Sequence, residues 1–374
     1  MSGKWAVDEL REGQIVESTF WANPVDDSGF RFRATHLDGK RAPKVVLCDD
    51  PRVKPGVPCR VKVKAIRKKE VPDRGSIEVE FVETMPFELK GIYLDPIISK
   101  KVQVCLESGL NILLDGPQGS GKTVMTREIA RALGMEFVFF NCAAVIEATD
   151  FLATIQVRAS ESGAPTTDFV KTTMLSALEE AAENPARRYL IFLDELNRCQ
   201  ESARNALMPA LDSTRRVFNP ITNRFIEIPD NVQFIAAVNR GSQFSGTFSI
   251  DAAQLDRFAP IQIDYLPAAE EVKLLQARHP EIGEALLTIV VDLANRIRAT
   301  PDVDGGLSVR ATEEVCIYLK HPLFESDRRA ALPEILKSSF SGRFDGRWND
   351  VNTDAGVVWN LVERGLEEHA KRSG

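Results

Sequence analysis

The segment from Gly116 to Thr123 carries the clearest chemical signal in the sequence. It reads Gly-Pro-Gln-Gly-Ser-Gly-Lys-Thr and fits the spacing G-x-x-x-x-G-K-[ST] of a phosphate-binding loop. Glycines let backbone N–H groups turn toward phosphate oxygens, and the N-terminus of a following helix adds favourable positive potential. We expect Lys122 to reach the β- and γ-phosphates of ATP and the Thr123 hydroxyl to hold Mg²⁺. The residues expected to line the nucleotide are Gly116, Pro117, Gln118, Gly119, Ser120, Gly121, Lys122, Thr123 and Val124.

Two adjacent carboxylates form a second signal. Asp194 and Glu195 end the continuous apolar run that starts at Tyr189, as expected of a central parallel strand that delivers its end to the ligand edge of a sheet. We expect Asp194 to support Mg²⁺ and Glu195 to polarise the attacking water of a phosphoryl-transfer reaction. Such a strand end is often structural when it occurs alone. Its occurrence downstream of the phosphate-loop pattern favours the catalytic interpretation.

Three further polar residues lie at the ends of predicted elements. Asn239 closes an apolar strand, where its amide could orient the water or sense the γ-phosphate, or simply cap the strand. Arg257 precedes the last predicted strand, and Arg310 opens a predicted helix. An isolated arginine is more often a solvated surface charge, so spacing alone does not assign a role to either one.

The elements that must position these residues alternate between strands and helices, which predicts a parallel α/β sheet. After it the pattern is helical, which predicts a separate lid. The predicted strands span 111–115, 137–141, 189–194, 233–238 and 261–263. The predicted helices span 96–108, 270–278, 284–298, 308–319, 330–338 and 354–371.

The N-terminal part has a different pattern. From about residue 14 to 83, short stretches of alternating polar and apolar residues are separated by turn residues, which predicts a small antiparallel barrel, OB-like or SH3-like. The fold class is therefore an α/β P-loop NTPase sheet with an α-helical lid, preceded by a small all-β barrel. The predicted domains are 1–86 for the barrel, 87–266 for the nucleotide-binding domain and 267–374 for the lid.

From about Gly91 onward the sequence resembles the MoxR-type branch of AAA+ ATPases, which is also related to dynein-type AAA proteins. The matching pieces are Gly116–Thr123 (Walker A), Leu190–Glu195 (Walker B) continuing into Leu196-Asn197-Arg198, Ala237–Asn239 (sensor 1), Leu255–Phe258 and Ser308–Ala311 (sensor 2). The resemblance implies a ring, commonly a hexamer. In that ring Arg257 is an arginine finger in the neighbour's site, and Arg310 reads the nucleotide from the lid of its own subunit.

The resemblance also implies two insertions. One lies within a helix near residues 155–170, with an exposed tip at 162–165, and the other is a hairpin from 216 to 226 that precedes sensor 1. One departure from the family pattern is Val309, which stands where such proteins usually carry proline between the serine and arginine of sensor 2. A helix can start without that proline, so the expected role of Arg310 is retained.

A basic strand in the barrel leaves two interpretations open. Residues 51–69 hold eight basic residues and no acidic one, and Arg60, Lys62 and Lys64 share one face. A cationic barrel face could follow a nucleic-acid backbone. Alternatively, Glu78 and Glu80 on the next strand could pair with Lys62 and Lys64 and neutralise the patch. Because aromatic residues are not interleaved with the basic ones, we favour partner binding or ring positioning over nucleic acid.

The overall composition agrees with a globular ATPase. The chain is 44% hydrophobic and 27% charged, with a net charge of −7, which does not suggest a dedicated nucleic-acid binder. No apolar run approaches the roughly 20 residues of a membrane span, and no apolar signal core is present, so we expect a cytoplasmic protein without a membrane partner. Its six cysteines form no C-x-x-C pair, so we expect buried free thiols rather than a zinc or redox site.

Three functions follow from these observations. The first is a MoxR-like ATPase that remodels or activates a partner protein, for which the resemblance implies a metal-binding von Willebrand factor A-type client. The second is a DNA- or RNA-dependent motor that uses the barrel and the hairpin before sensor 1, a layout similar to that of MCM helicases. The third is a nucleotide-gated scaffold with negligible turnover, against which the presence of Glu195, Asn239 and Arg257 argues.

Overall fold

The computed structural model describes residues 10–23, 29–53, 55–67, 76–85, 89, 91–159, 165–239, 248–301, 303 and 306–373. The chain divides into two compact units. The first contains Met1–Leu113, Thr123–Ala237 and Phe248–Ile261, and the second contains Leu114–Lys122, Val238–Thr247 and Gln262–Gly374. The barrel and much of the α/β domain thus share one unit, and the domain boundaries at 86 and 266 stay a prediction.

The N-terminal part is a curled six-stranded sheet. Its strands are β1 (Ile15–Thr19), β2 (Trp21–Ala22), β3 (Phe32–Leu37), β4 (Lys40–Cys48), β5 (Pro58–Arg67) and β6 (Ser76–Thr84), in the order β1-β5-β6-β4-β3-β2. The curl brings β1 beside β3, where Asp38 N–H donates to Glu17 O at 2.7 Å. Alternate residues such as Val61 and Val63 point into the core. One ladder departs from the antiparallel barrel that was predicted, because β4 and β6 pair in parallel.

The basic strand β5 lies antiparallel to β6, and its exposed cations meet carboxylates across the ladder. Lys64 pairs with Glu80 at 3.4 Å, and Arg67 pairs with Glu78 at 2.5 Å. Arg60 pairs with Glu83 at 2.8 Å. The predicted pairing of Lys64 with a β6 carboxylate is confirmed, whereas Glu78 pairs with Arg67 rather than with a lysine.

The second part of the chain contains a parallel five-stranded sheet. Its strands are β7 (Ile112–Gly116), β8 (Glu136–Asn141), β11 (Tyr189–Asp194), β14 (Val232–Asn239) and β15 (Ala259–Gln262), in the order β15-β7-β14-β11-β8. Two separate hairpins supply β9 (Ala153–Ala159) with β10 (Pro165–Lys171) and β12 (Arg216–Asn219) with β13 (Arg224–Glu227). The connecting helices are α1 (Pro96–Glu107), α2 (Lys122–Ala132), α3 (Thr173–Glu183), α4 (Glu201–Leu211) and α5 (Ala252–Leu255). Parallel strands with helical connections are the predicted P-loop NTPase fold class.

Both hairpins fall where insertions were expected. The hairpin β12–β13 confirms the one before sensor 1. The prediction that the earlier insertion lies within a helix is wrong. It is a β-hairpin between the short 3₁₀ segment Ala148–Phe151 and α3. Seven antiparallel residue pairs between its two strands satisfy the backbone hydrogen-bonding groups of the insertion, so it does not need a helix for this purpose. Its expected tip at 162–165 lies outside the described residues, except for the backbone of Pro165.

The lid is a helical bundle with its own core. It contains α6 (Ala268–Arg278), α7 (Glu284–Arg298), α8 (Val309–Lys320), α9 (Arg328–Ser339) and α10 (Asp354–Ser373). Apolar residues at helical spacing on α7, such as Leu287, Val290 and Val291, are buried against Leu319, Leu336 and Val362. The predicted helical fold of the lid is therefore confirmed, whereas its separation as a domain stays a prediction.

Two negative expectations can be compared with the described residues. All six cysteines are buried free thiols, as expected. No helix in the described ranges is long and apolar enough to cross a bilayer.

Candidate active site

The phosphate-loop pattern lies between the fully buried strand β7 and helix α2. Gly119 and Gly121 have φ of +75° and +86°, which side-chain-bearing residues rarely adopt, so the motif's glycines are needed for the shape of the loop. The Lys122 ammonium is buried and donates to Gly116 O at 2.9 Å and to Pro117 O at 2.8 Å. The loop thus holds a positive charge at the start of a helix, where an anion is favoured.

Thr123 and Asp194 bring the two motifs together. The Thr123 hydroxyl donates to Asp194 Oδ2 at 3.3 Å, from the first turn of α2 to the end of β11. A hydroxyl and a carboxylate are the hard oxygen ligands that Mg²⁺ prefers, with most of its other ligands coming from phosphate and water. Within the described ranges no group of three or more His, Cys, Asp or Glu side chains could hold a metal by itself. The hydroxyl of Thr123 and the carboxylate of Asp194 fit Mg²⁺ that takes its remaining ligands from a nucleotide and water.

Glu195 has an unusual backbone. Its φ is +54°, in the left-handed region, and its N–H donates to Asp194 Oδ1 at 3.0 Å as the chain leaves β11. A side-chain-bearing residue in this region costs on the order of 1–3 kcal/mol, and such strain is concentrated at functional sites. Glu195 therefore lies in the turn between the end of β11 at Asp194 and the 3₁₀ segment that starts at Leu196.

Arg198 contacts this carboxylate, with Nε 3.5 Å from Glu195 Oε2. The two side chains are 33% and 24% exposed, so water reaches both of them. The sequence places Arg198 only in the stretch that continues the Walker B motif, whereas its spacing of three residues in a short 3₁₀ turn brings it beside Glu195. Asn141, which was not predicted as a site residue, ends β8 in register with Asp194. The available signal was a polar residue that directly follows the apolar stretch 137–140.

Two neighbouring buried thiols, one of them close to these carboxylates, stay protonated. Burial raises the pKa of Cys142 well above 9.0, and the nearby Cys199, Asp194 and Glu195 act in the same direction. Burial also raises the pKa of Cys199, to about 11. Because the thiolate is the reactive form, neither cysteine is suited to act as a nucleophile or a metal ligand at neutral pH.

The second unit contains the predicted sensors. Asn239 is the half-buried last residue of β14, and Arg310 is the exposed second residue of α8. Ser308 precedes α8 and packs on the phosphate loop so closely that a Cβ built at Gly119 would overlap its side chain. The start of the predicted sensor 2 helix therefore lies against the phosphate loop.

Arg257 is held by groups of its own subunit. Its guanidinium donates to Ala253 O, and Nη2 lies 3.9 Å from Asp212 Oδ2. A hydrogen bond from Thr214, assisted by the charge of Arg257, lowers the pKa of Asp212, so this carboxylate is ionised at neutral pH. Asn111 fixes the backbone here by donating to Leu211 O at 2.7 Å and to Arg257 O at 3.2 Å. The side chain of Arg257 is 31% exposed.

Among the predicted site residues, the structure brings Thr123, Asp194 and Glu195 together in the first unit. In the second unit it brings Lys122 to the carbonyls of the phosphate loop and the residue before α8 to Gly119. Arg257, in the first unit, lies beside Asp212.

Part of the chain matches a known protein family. Residues 111–258 match the model of the AAA domain, dynein-related subfamily. An uncharacterized protein of Staphylococcus haemolyticus is 30% identical over 201 residues, which cover 54% of this chain and 73% of the relative. One of Staphylococcus saprophyticus is 27% identical over 172 residues, 46% of this chain and 62% of the relative, so the match spans less than two thirds of that protein.

A solved structure titled as a Thermotoga maritima RuvB mutant covers 67% of this chain and 72% of its own, with 18% identity and a TM-score of 0.44. That likeness is too slight to bear on function. The family match contains β7, the phosphate loop, Asp194, Glu195, Asn239 and Arg257. The chain therefore belongs to the AAA family of ATPases, with an AAA domain of the dynein-related subfamily at residues 111–258.

Proposed function

We propose that this chain is a MoxR-type AAA+ ATPase that couples ATP hydrolysis to the remodelling or activation of a partner protein. The observation that carries the hydrolytic part is the contact of Thr123 with Asp194, 3.3 Å between the hydroxyl and the carboxylate. It joins the end of the phosphate loop to the strand end that Glu195 follows. Phosphoryl transfer depends mainly on positioning and electrostatics, so a contact between a hydroxyl and a carboxylate from the two motifs supports this proposal.

Each group then has a defined task. The Lys122 ammonium offsets negative charge on the β- and γ-phosphates, and Thr123 with Asp194 holds Mg²⁺, which when bound neutralises further phosphate charge. The Glu195 carboxylate orients a water molecule and takes its proton as the water oxygen bonds to the γ-phosphorus. The bond from that phosphorus to the β–γ bridging oxygen breaks, giving ADP and inorganic phosphate. Asn239 and Arg310 sense the γ-phosphate in this proposal.

The ion pair between Glu195 and Arg198 favours one orientation of the carboxylate. A charge-assisted contact of this kind, partly exposed and 3.5 Å long, is weak enough to be exchanged. In the proposal, Glu195 leaves Arg198 when it takes up the attacking water. Arg198 therefore influences how often the base is in place without itself contacting the phosphates.

The test compares two single substitutions. Lys122→Ala should abolish binding of a fluorescent ATP analogue, because it removes the fixed positive charge of the phosphate loop. Glu195→Gln should keep binding and lose phosphate release, because the amide cannot accept the proton. Lys100→Ala and Glu201→Gln, at exposed positions on α1 and α4, are the matched controls. Equal loss of ATP affinity in the Lys122 and Glu195 variants would show that the catalytic carboxylate is misassigned.

The partner is the finer part of the proposal. The motif set and both hairpins resemble the MoxR branch, so we propose a ring, commonly a hexamer, acting on a von Willebrand factor A-type protein. Glu195→Gln should accumulate as an ATP-bound complex with its client. The proposal expects co-purification of such a protein that requires ATP and is absent with Lys122→Ala. Nucleotide-independent recovery, or recovery of nucleic acid only, argues against it.

A nucleic-acid motor is the second candidate, and one observation favours it. Phe218 and Phe225 pair across the β12–β13 hairpin, 43% and 53% exposed, and the Arg216 guanidinium lies 4.5 Å from the Phe225 ring centre. Exposed aromatic and cationic groups can stack on bases. The ion pairs on β5 oppose this interpretation. ATPase stimulation by single-stranded DNA or RNA that is lost at high salt and in Phe218→Ala would favour the motor.

A further inference from the structure

A buried ion pair lies inside the lid. Glu271 on α6 and Arg298 at the end of α7 are 0% and 5% exposed, and their side chains meet twice, with Nη1–Oε2 at 2.6 Å and Nη2–Oε1 at 3.1 Å. Burying two charges is costly, and replacing such a pair by apolar residues is often neutral or even stabilising. Stability alone is therefore a weak explanation for this pair.

Both members of the pair also hold the start of α8. Arg298 Nε donates to Leu307 O at 2.6 Å. The buried Thr312 hydroxyl lies 2.7 Å from Glu271 Oε1 and 2.9 Å from Val309 O. Arg298 thus holds the backbone before Ser308 directly. Glu271 holds the first turn of α8 through the Thr312 hydroxyl, whose one proton is shared with Val309 O. Arg298 has little freedom of its own, because Asn295 Oδ1 accepts from Nη1 at 2.8 Å and the Tyr265 ring covers the guanidinium at 4.5 Å.

The segment held in this way is the one that lies on the phosphate loop. Ser308 packs against Gly119 within the same unit. Two residues further on, Arg310 is exposed, whereas Thr312 is buried. Because an α-helix turns about 100° per residue, these two side chains point to nearly opposite sides of α8. The inward side chain is anchored to Glu271, so the outward direction of Arg310 is determined as well.

We propose that Glu271 and Arg298 are positioning residues for nucleotide sensing: their buried pair holds residues 307–309 on the phosphate loop and thereby sets the location of Arg310. This inference rests on the proposed ATPase function. Arg310 contacts the γ-phosphate in that function, so the pair determines how well the protein distinguishes ATP from ADP. Glu271 and Arg298 do not contact the nucleotide themselves.

The decisive variant is the double substitution Glu271→Met with Arg298→Met. It removes both charges together, so no unpaired buried charge remains to unfold the lid. It also removes the anchors of Leu307 and Thr312. We expect the lid to fold, the affinity for ATP to fall at least about tenfold, as for the loss of one charged hydrogen bond, and the affinity for ADP to change little. Arg310→Ala should show the same loss of preference for ATP.

Combining the variants separates positioning from general damage. If the pair acts through Arg310, adding Arg310→Ala to the double variant should weaken ATP binding no further. Arg296→Met is the matched control, because Arg296 lies on the same helix and pairs at the surface with Asp292 and Glu368, 2.9 Å each. It should bind both nucleotides as the unmodified protein does. Thr312→Val, which keeps the shape and removes the hydroxyl, should give a smaller loss of the same kind and serves if the double variant misfolds.

Three results overturn the inference. One is a folded double variant, or a folded Thr312→Val, that keeps the full preference for ATP while Arg310→Ala loses it. Another is an effect that adds fully to that of Arg310→Ala. The third is an unchanged preference for ATP in Arg310→Ala, provided that Lys122→Ala loses nucleotide binding. Failure of the proposed function is recognised separately, because the unmodified protein and Lys122→Ala would then bind nucleotide equally poorly.

Discussion

Thr123 Oγ1 lies 3.3 Å from Asp194 Oδ2, although 71 residues separate them in the sequence. Folding brings two distant motifs into contact, because β7 and β11 belong to the same parallel sheet and end at the same edge. The pair predicts how nucleotide binding should depend on Mg²⁺.

Thr123→Val should remove most of the gain in ATP affinity that Mg²⁺ provides, because valine keeps the shape and lacks the oxygen ligand. Titrations of a fluorescent ATP analogue with Mg²⁺ and with EDTA measure this gain. Ser120→Ala is the control, since the Ser120 hydroxyl in the same loop donates to Pro117 O rather than to Asp194. Thr123→Ser should restore the gain. An unchanged Mg²⁺ dependence in Thr123→Val would exclude this oxygen as a ligand.

The left-handed backbone of Glu195 predicts a conflict between stability and activity. Glu195→Gly and Glu195→Ala should both lose turnover, but the glycine variant should be the more stable by about 1 kcal/mol, because glycine adopts φ of +54° without steric cost. Urea unfolding measures the difference. At Glu201, in the first turn of α4, the order should reverse, because glycine disfavours a helix. Equal stability of the two Glu195 variants would mean that the backbone there is unstrained.

Many elements could be predicted from the sequence because their signals are local. The apolar run 189–194 and the helix 284–298 have the same bounds in the structure. The parallel pairing of β4 with β6 could not be predicted, because no local pattern specifies which strand a non-neighbouring strand will meet. The same holds for the site. The expected roles of Asp194 and Glu195 can be inferred from their adjacent positions at the end of an apolar run in the sequence. The contact of Arg257 with Asp212 joins residues of separate elements, and no local sequence pattern indicates it.

Gly56 lies at a close contact between the N-terminal sheet and the α/β domain within the first unit, and a side chain at this position should lower the stability of the protein. Its φ is +77°, and a Cβ there would lie 2.8 Å from Leu133 O and 2.9 Å from Arg188 Nη1. Arg188 Nη1 also donates to Pro55 O at 2.5 Å. Gly56→Ala should therefore lower the free energy of unfolding by at least about 1–3 kcal/mol.

Gly39→Ala is the control that separates the two causes of the stability loss in Gly56→Ala, backbone strain and the clash of the new Cβ with Leu133 and Arg188. Gly39 has nearly the same φ, +72°, but a Cβ added there would meet nothing within 4 Å. Both variants suffer the left-handed strain, and only Gly56→Ala disturbs the contact. Thermal unfolding should show a larger loss for Gly56→Ala. Equal losses would mean that the barrel and the α/β domain adjust to each other freely at this point.

His279 predicts that the lid loses stability in acid. It is 4% exposed, and in the described part of the chain neither ring nitrogen has a hydrogen-bond partner. Burial lowers its pKa below 6.5, as do Lys320 and Arg278, whereas Glu281 and Glu313 act in the opposite direction. The folded lid therefore keeps a neutral imidazole where the unfolded chain takes up a proton. Its contribution is fully present above pH 6.5 and is lost as the pH falls from there toward the lowered pKa.

Urea unfolding between about pH 8 and pH 5, followed through the lid tryptophans Trp348 and Trp359, measures this loss. For one proton, the free energy of unfolding cannot change by more than about 1.4 kcal/mol per pH unit. His279→Phe should flatten the slope below pH 6.5. Gln276→Leu is the control, because it removes a hydrogen bond to Ile282 O but no titrating group, and should shift stability equally at each pH. A slope that persists in His279→Phe would assign the acid sensitivity to other groups.

Arg257 predicts that each active site is built from two subunits. As a finger it offsets charge on the γ-phosphoryl group of a neighbour, which contributes roughly 10³–10⁵ in turnover where such arginines act. Its present contacts, Ala253 O and a carboxylate 3.9 Å away, are weak enough to be exchanged for a phosphate. Arg257→Ala should therefore bind ATP normally and hydrolyse it very slowly. Arg131→Ala, at a surface ion pair on α2, should leave both unchanged.

Mixing two inactive variants tests the assignment between subunits. In a head-to-tail ring, random assembly of Arg257→Ala with Glu195→Gln gives about one interface in four with an intact Glu195 facing an intact Arg257. Partial recovery of hydrolysis is therefore expected, with its maximum near equal amounts of the two chains. Affinity tags of two kinds verify that the variants share rings. If they do and no activity returns at any ratio, Arg257 does not act on the neighbouring subunit. Full activity of Arg257→Ala alone would end the finger assignment and make Arg198, beside Glu195, the next arginine to substitute.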